Sequence, residues 1–166
     1  MGRLLPDHDW FVIIAVPVGL VLVCLLPPRL PKSIIFLAML MGFTVPLAMD
    51  HSIGVPPFDM YDTQVKSILT WDDALTWLLY PLFAYLFIYG YEWLSIGGLG
   101  IPLYILVWGL FAAGFETVGV YFHVYEYKRW TLGYSFAVYI VVQLLLVIFY
   151  HILKLKIADI KRNGTG

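Results

Sequence analysis

Glu116 is the acid that falls deepest inside an apolar run, in Phe111-Ala112-Ala113-Gly114-Phe115-Glu116-Thr117-Val118-Gly119. Read as a helix, the run places Gly109, Ala112, Ala113 and Gly119 on Glu116's own face, at i−7, i−4, i−3 and i+3, with His123 at i+7. Small residues let a second helix approach closely, so this face is expected to turn into the protein and away from lipid. An isolated carboxylate in hydrocarbon costs several kcal/mol, and no Lys or Arg lies within the apolar runs to pair with it. It is therefore expected to be neutral or to hold a cation. The chemistry this suits is proton or cation binding, or the anchoring of a small ligand. The competing reading is a neutral Glu hydrogen-bonded to Gln143, Tyr139 or a backbone carbonyl, where it only fixes helix packing.

Other polar groups are expected at matching depth. With the helix continuing to Tyr127, Glu116 lies roughly 16 Å from its outer end at ~1.5 Å per residue, near the bilayer centre. Gln143 sits about ten residues into the last apolar run, and Tyr139 lies one turn above it on the same face. Asp73, Thr76 and Tyr80 form a descending stripe in the third run, and Asp50 and His51 close the second. Together these predict an outward-facing polar pocket with Glu116 at its floor, whose ligand- or cation-binding residues are Glu116, Gln143, Tyr139, Tyr80, Asp73 and His123.

A metal is the next chemistry to weigh. His51, His123 and Asp50 are candidate ligands, with His8, Asp9, Asp73 and Glu126 on the same predicted side, and a mixed nitrogen and oxygen set suits zinc or another transition metal. A metal-dependent membrane enzyme is accordingly one alternative. Against it, no helix carries two His at i, i+3 or i+4, and no HExxH motif occurs. The chain also has no G-x-S-x-G elbow and no phosphate-binding glycine loop, so no catalytic residue is assigned and no cofactor is identified.

The elements that must position these groups follow from composition. The chain has 166 residues, of which 61% are hydrophobic and 13% charged, whereas soluble domains carry about 25% charged residues. There is too little polar surface for a soluble domain, and a formal charge of −1 with no basic groove argues against nucleic acid. The expected fold is all-α, a polytopic integral membrane protein whose single membrane domain covers residues 1–166. Five spans are predicted near residues 10–26, 33–49, 72–93, 102–127 and 132–153. The breaks are Pro27-Pro28, Asp50-His51, Gly97-Gly98-Leu99-Gly100 and Lys128-Arg129-Trp130; Pro17 and Pro81 are expected to kink their spans. Residues 51–70 form the external loop, with a short surface helix expected over 58–69 and a capping box at Thr70-Trp71-Asp72-Asp73. Six basic residues (Arg29, Lys32, Lys154, Lys156, Lys161, Arg162) against four (Arg3, Lys66, Lys128, Arg129) favour an external N-terminus and a cytoplasmic C-terminus.

Several features in order carry a resemblance: Pro28-Arg29-Leu30-Pro31-Lys32, Asp50, Asp73 followed by Tyr80-Pro81, Glu116, and Tyr127-Lys128-Arg129-Trp130 leading to Tyr134-Ser135-Phe136. Their spacing resembles a family of small, uncharacterised multi-pass membrane proteins of spore-forming Firmicutes. That resemblance implies a bacterial plasma membrane and no established activity. The expected function is non-enzymatic, the binding or movement of a small ligand, proton or cation through the pocket around Glu116, with the lipid bilayer as surroundings. A third possibility is a structural or assembly subunit, as a homo-oligomer or within a larger membrane complex.

Overall fold

A computed structural model describes residues 7–63 and 71–163 of the chain. Five helices run α1 (Asp7–Leu25), α2 (Lys32–Asp50), α3 (Trp71–Trp93), α4 (Gly100–Tyr121) and α5 (Leu132–Asn163). Two short strands, β1 (Tyr61–Thr63) and β2 (Tyr125–Tyr127), pair antiparallel, with Tyr61 opposite Tyr127 and Thr63 opposite Tyr125. Helices α2, α3, α4 and α5 are long and apolar enough to cross a membrane, and α1 adds the shorter apolar stretch Asp9–Leu25. Large apolar side chains such as Ile14, Phe36, Val107, Leu110 and Val141 point outward. A water-soluble domain does not leave so much apolar surface uncovered, whereas lipid solvates it.

Helix α3 is the centre of the bundle. Its apolar window is 56% buried, against 17% for α2 and 22% for α5. It packs on α1 and α2, α5 packs on α4, and α2 and α3 also meet α5. Tyr85, Phe87, Ile88 and Tyr91 of α3 fill one core with Ile34, Ala38, Leu146 and Tyr150. Leu79 joins Val12, Val16 and Val124 in a second core, against which Phe11, Phe115 and Phe122 pack. Pro17, Pro46 and Pro81 all lie inside helices that run on through them, as membrane helices tolerate; of the three only Pro81 is buried.

The helical architecture expected from the apolar runs is present, with three corrections that bear on the site. The surface helix expected over 58–69 is not formed at its start: turns lead directly into β1, and the rest of that segment, with Thr70 of the expected capping box, lies outside the described residues. The fourth span stops at Tyr121, six residues before the expected end. His123 sits in the left-handed region at φ 60°; its N–H donates to Val120 and that of Val124 to Gly119, at 3.0 and 2.9 Å. These are the two bonds of a Schellman stop, in which the chain turns back on the helix end. Finally, α5 continues past residue 153 to Asn163 and carries the basic tail as helix.

Candidate functional site

Ending α4 at Tyr121 changes Glu116's position. It lies five residues from the helix end, roughly 8 Å at ~1.5 Å per residue, and not the 16 Å expected from a longer helix. Its carboxylate therefore meets the first turns of α5 and the ribbon formed by β1 and β2.

Three hydroxyls donate to that carboxylate. Ser135 donates to Oε1 at 2.6 Å and Tyr139 to Oε2 at 2.5 Å. Tyr127 also donates to Oε1. Ser135 is itself held by the indole N–H of Trp130, which donates to its Oγ at 2.7 Å. Glu116 is buried, with 7% of its surface exposed, and this donor shell replaces the water that burial removes.

The local sequence explains each donor. Ser135, Tyr139 and Gln143 recur every four residues, so they line one face of α5. Tyr125 and Tyr127 alternate with Glu126 along β2 and share the inner face of the strand, while Glu126 is exposed. The pairing of the ribbon is extended past its strands by the carbonyl of Met60, which accepts the N–H groups of Lys128, Arg129 and Trp130 at 2.9–3.1 Å. An ion pair of 2.7 Å between Lys128 and Asp59 flanks it.

A second carboxylate has its own shell. Tyr61 of the ribbon donates to Asp50 Oδ1 at 2.8 Å, and Tyr80 of α3 donates to Oδ2 at 3.2 Å. The hydroxyls of Tyr80 and Tyr125 lie 3.5 Å apart. Tyr61 and Tyr127, opposite one another in the ribbon, thus serve one acid each.

Both acids line one cavity of about 200 Å³ between α2, α3, α4 and α5, closed at one end by the ribbon. Its wall is mostly aromatic and aliphatic, including Phe83, Phe87, Trp108 and Trp130, and no Lys, Arg or His lines it among the described residues. Gln143 also lines it; its Oε1 is buried and has no hydrogen-bond partner.

Of the residues singled out in the sequence, Glu116, Gln143, Tyr139 and Tyr80 come together around this cavity. Tyr139 is a Glu116 partner, as weighed; Gln143 Oε1 is not, since it has no partner. His123 is excluded from the site: it is exposed and serves as the left-handed residue that stops α4. Asp73's side chain falls outside the described residues. Among the candidate metal ligands, Asp50 faces the cavity but His51 is exposed, its Nδ1 2.9 Å from the Leu47 carbonyl. Among the described residues no three His, Cys, Asp or Glu side chains gather as a metal would need. The sequence reading missed Ser135, Tyr127, Tyr61, Tyr125 and Trp130 as site residues. Ser135 was findable as the residue one turn before Tyr139, and Tyr125 and Tyr127 as a strand-like alternation.

The ribbon tyrosines also define a pH dependence. Burial raises the hydroxyls of Tyr61, Tyr125 and Tyr127 above the usual value of 10.0, with the negative charge of Asp50 adding to the effect at Tyr61 and the bond to Glu116 at Tyr127. Below pH 10 both folded and unfolded chains keep these protons; above it the unfolded chain releases them first. Stability is therefore fully present below about pH 10 and is lost as pH climbs toward the raised folded values. Melting temperatures across an alkaline series are expected to fall beyond that point, and less steeply for Tyr127→Phe. A profile that Tyr127→Phe leaves unchanged would contradict this.

Four helices long and apolar enough to cross a membrane, with an apolar exterior, define a helical multi-pass membrane protein. No family model matches the chain, and neither a curated protein nor a solved structure is similar to it.

Proposed function

We propose that this chain is a non-enzymatic membrane protein that binds or moves a small ligand, with the cavity between Glu116 and Asp50 as its site. The observation that carries the reading is the cavity itself: two hydrogen-bonded acids, Glu116 buried and Asp50 half-buried, and an unpartnered amide oxygen face one space walled by aromatic rings. Concave, mostly apolar sites with a few convergent polar groups are where small molecules bind. Packing glue alone requires no space beside the carboxylate.

The proposed topology has five spans, counting α1, with the N-terminus and the ribbon outside and the C-terminus in the cytoplasm. The excess of basic residues on the α1–α2 link and the end of α5 supports it. The resemblance carried by Asp50, Glu116 and the Tyr127 to Phe136 stretch supports a bacterial plasma membrane. In this orientation the ribbon caps the outer end of the cavity, and Tyr61 and Tyr127 tie that cap to the two acids.

Native mass spectrometry of protein released from mild detergent tests the binding role. Wild type is expected to carry a small-molecule adduct that Ala112→Trp, which fills the cavity wall, does not. A wild-type spectrum without adduct, or one that Ala112→Trp leaves unchanged, would remove the reading.

A further inference from the structure

The geometry points to an organic ammonium ion with N–H donors and a compact apolar body as the ligand of this cavity. The inference rests on the cavity being a binding site and adds the chemical class of what it binds. Every tyrosine hydroxyl bonded to Glu116 or Asp50 spends its proton on the carboxylate. Apart from the amide N–H of Gln143, the site therefore offers the cavity acceptor lone pairs and aromatic rings, with no cationic side chain among the described lining residues. An anion would meet two carboxylates and no counter-charge. A neutral apolar molecule would leave Gln143 Oε1 as it stands, buried with 8% of the residue exposed and without a donor.

An ammonium group answers each of these at once. Its N–H supplies the donor that Gln143 lacks, and its charge is attracted by the carboxylates and by the faces of nearby rings such as Tyr80, Trp108 and Trp130. The unsatisfied oxygen is the feature that favours a primary or secondary amine over a quaternary one, which has no N–H to give. Size limits the body of the ligand. An apolar cavity of about 150 Å³ holds benzene, so about 200 Å³ takes an aryl ring with a short aminoalkyl arm.

Phenethylamine, protonated at neutral pH, is a suitable probe, with phenethyl alcohol and phenylpropionate as neutral and anionic counterparts of similar shape. Trp108 and Trp130 in the wall give the signal. Titrating the full-length protein in detergent, the amine is expected to quench saturably and to bind at least ~10-fold more tightly than either counterpart, about 1.4 kcal/mol or more. Gln143→Leu removes the unpartnered oxygen without breaking a hydrogen bond, so it is expected to fold at least as well as wild type. In that variant the advantage of the amine over propylbenzene, a probe of the same shape with no donor to give, should shrink several-fold. Equal binding of alcohol and amine to wild type, or an unchanged advantage in Gln143→Leu, overturns the ammonium assignment and leaves the cavity as a site for another ligand. Saturable binding of none of these probes removes both the assignment and the binding reading beneath it.

Discussion

Replacing Glu116 with Leu is expected to destabilise the protein by about 3 kcal/mol or more, and replacing it with Gln by only about 1–2 kcal/mol. The difference follows from what is left behind. In Glu116→Leu, the hydroxyls of Ser135, Tyr127 and Tyr139 all lose their acceptor at once, and each donor left unmade in a buried place costs about 1–3 kcal/mol. Tyr127 is only partly buried and recovers some of that from water, and Leu gains packing, so the sum stays below three full penalties. Glu116→Gln keeps one acceptor oxygen for Ser135 and Tyr127, and its amide N–H can donate to Tyr139 once that hydroxyl rotates. Unfolding of both variants in detergent, followed by circular dichroism, reads the two values. Equal stability of Glu116→Leu and wild type would mean that Glu116 does not hold the ribbon and α5 together.

The same shell shows why part of the site was legible in the sequence and part was not. A Glu on a helix face of Gly and Ala can be recognised because helical spacing is local, and so can Tyr139 and Gln143 one turn apart. The partners from the ribbon are a different matter. Tyr61 and Tyr127 lie in strands of three residues, too short for any periodicity to emerge, and they meet only because the register aligns them. That register depends on where α4 stops. Its stop is a left-handed His123, a position usually taken by Gly, so the sequence offers no ordinary end signal before Lys128. That one turn takes Glu116 away from the bilayer centre expected of a longer helix and His123 away from the pocket. The bundle itself was easier, because apolar run length is set by membrane thickness and needs no partner to be read.

The second large effect is expected where α2 crosses α3. A Cβ on Gly42 would lie 2.3 Å from the Cβ of Ala84, 3.2 Å from the Tyr80 carbonyl oxygen and 3.5 Å from the Cα of Pro81. None of these is the end of a flexible side chain, so the helices themselves must separate. Gly42→Ala is expected to cost about 1–3 kcal/mol, as overpacking of a close contact does, even though Ala is the better helix former. The damage should reach the site, because Tyr80 sits in the contact and donates to Asp50. A reciprocal exchange separates this steric account from a general intolerance of change at the position. Moving the methyl group from one helix to the other, Gly42→Ala with Ala84→Gly, leaves one Cβ in the crossing instead of two. The pair is expected to be more stable than the sum of its single changes by about 1–2 kcal/mol, the scale at which contacting residues couple. Thermal unfolding of the four proteins measures that coupling. Strict additivity would show that Gly42 does not set the approach of α2 to α3, and that Tyr80 is placed against Asp50 by some other contact.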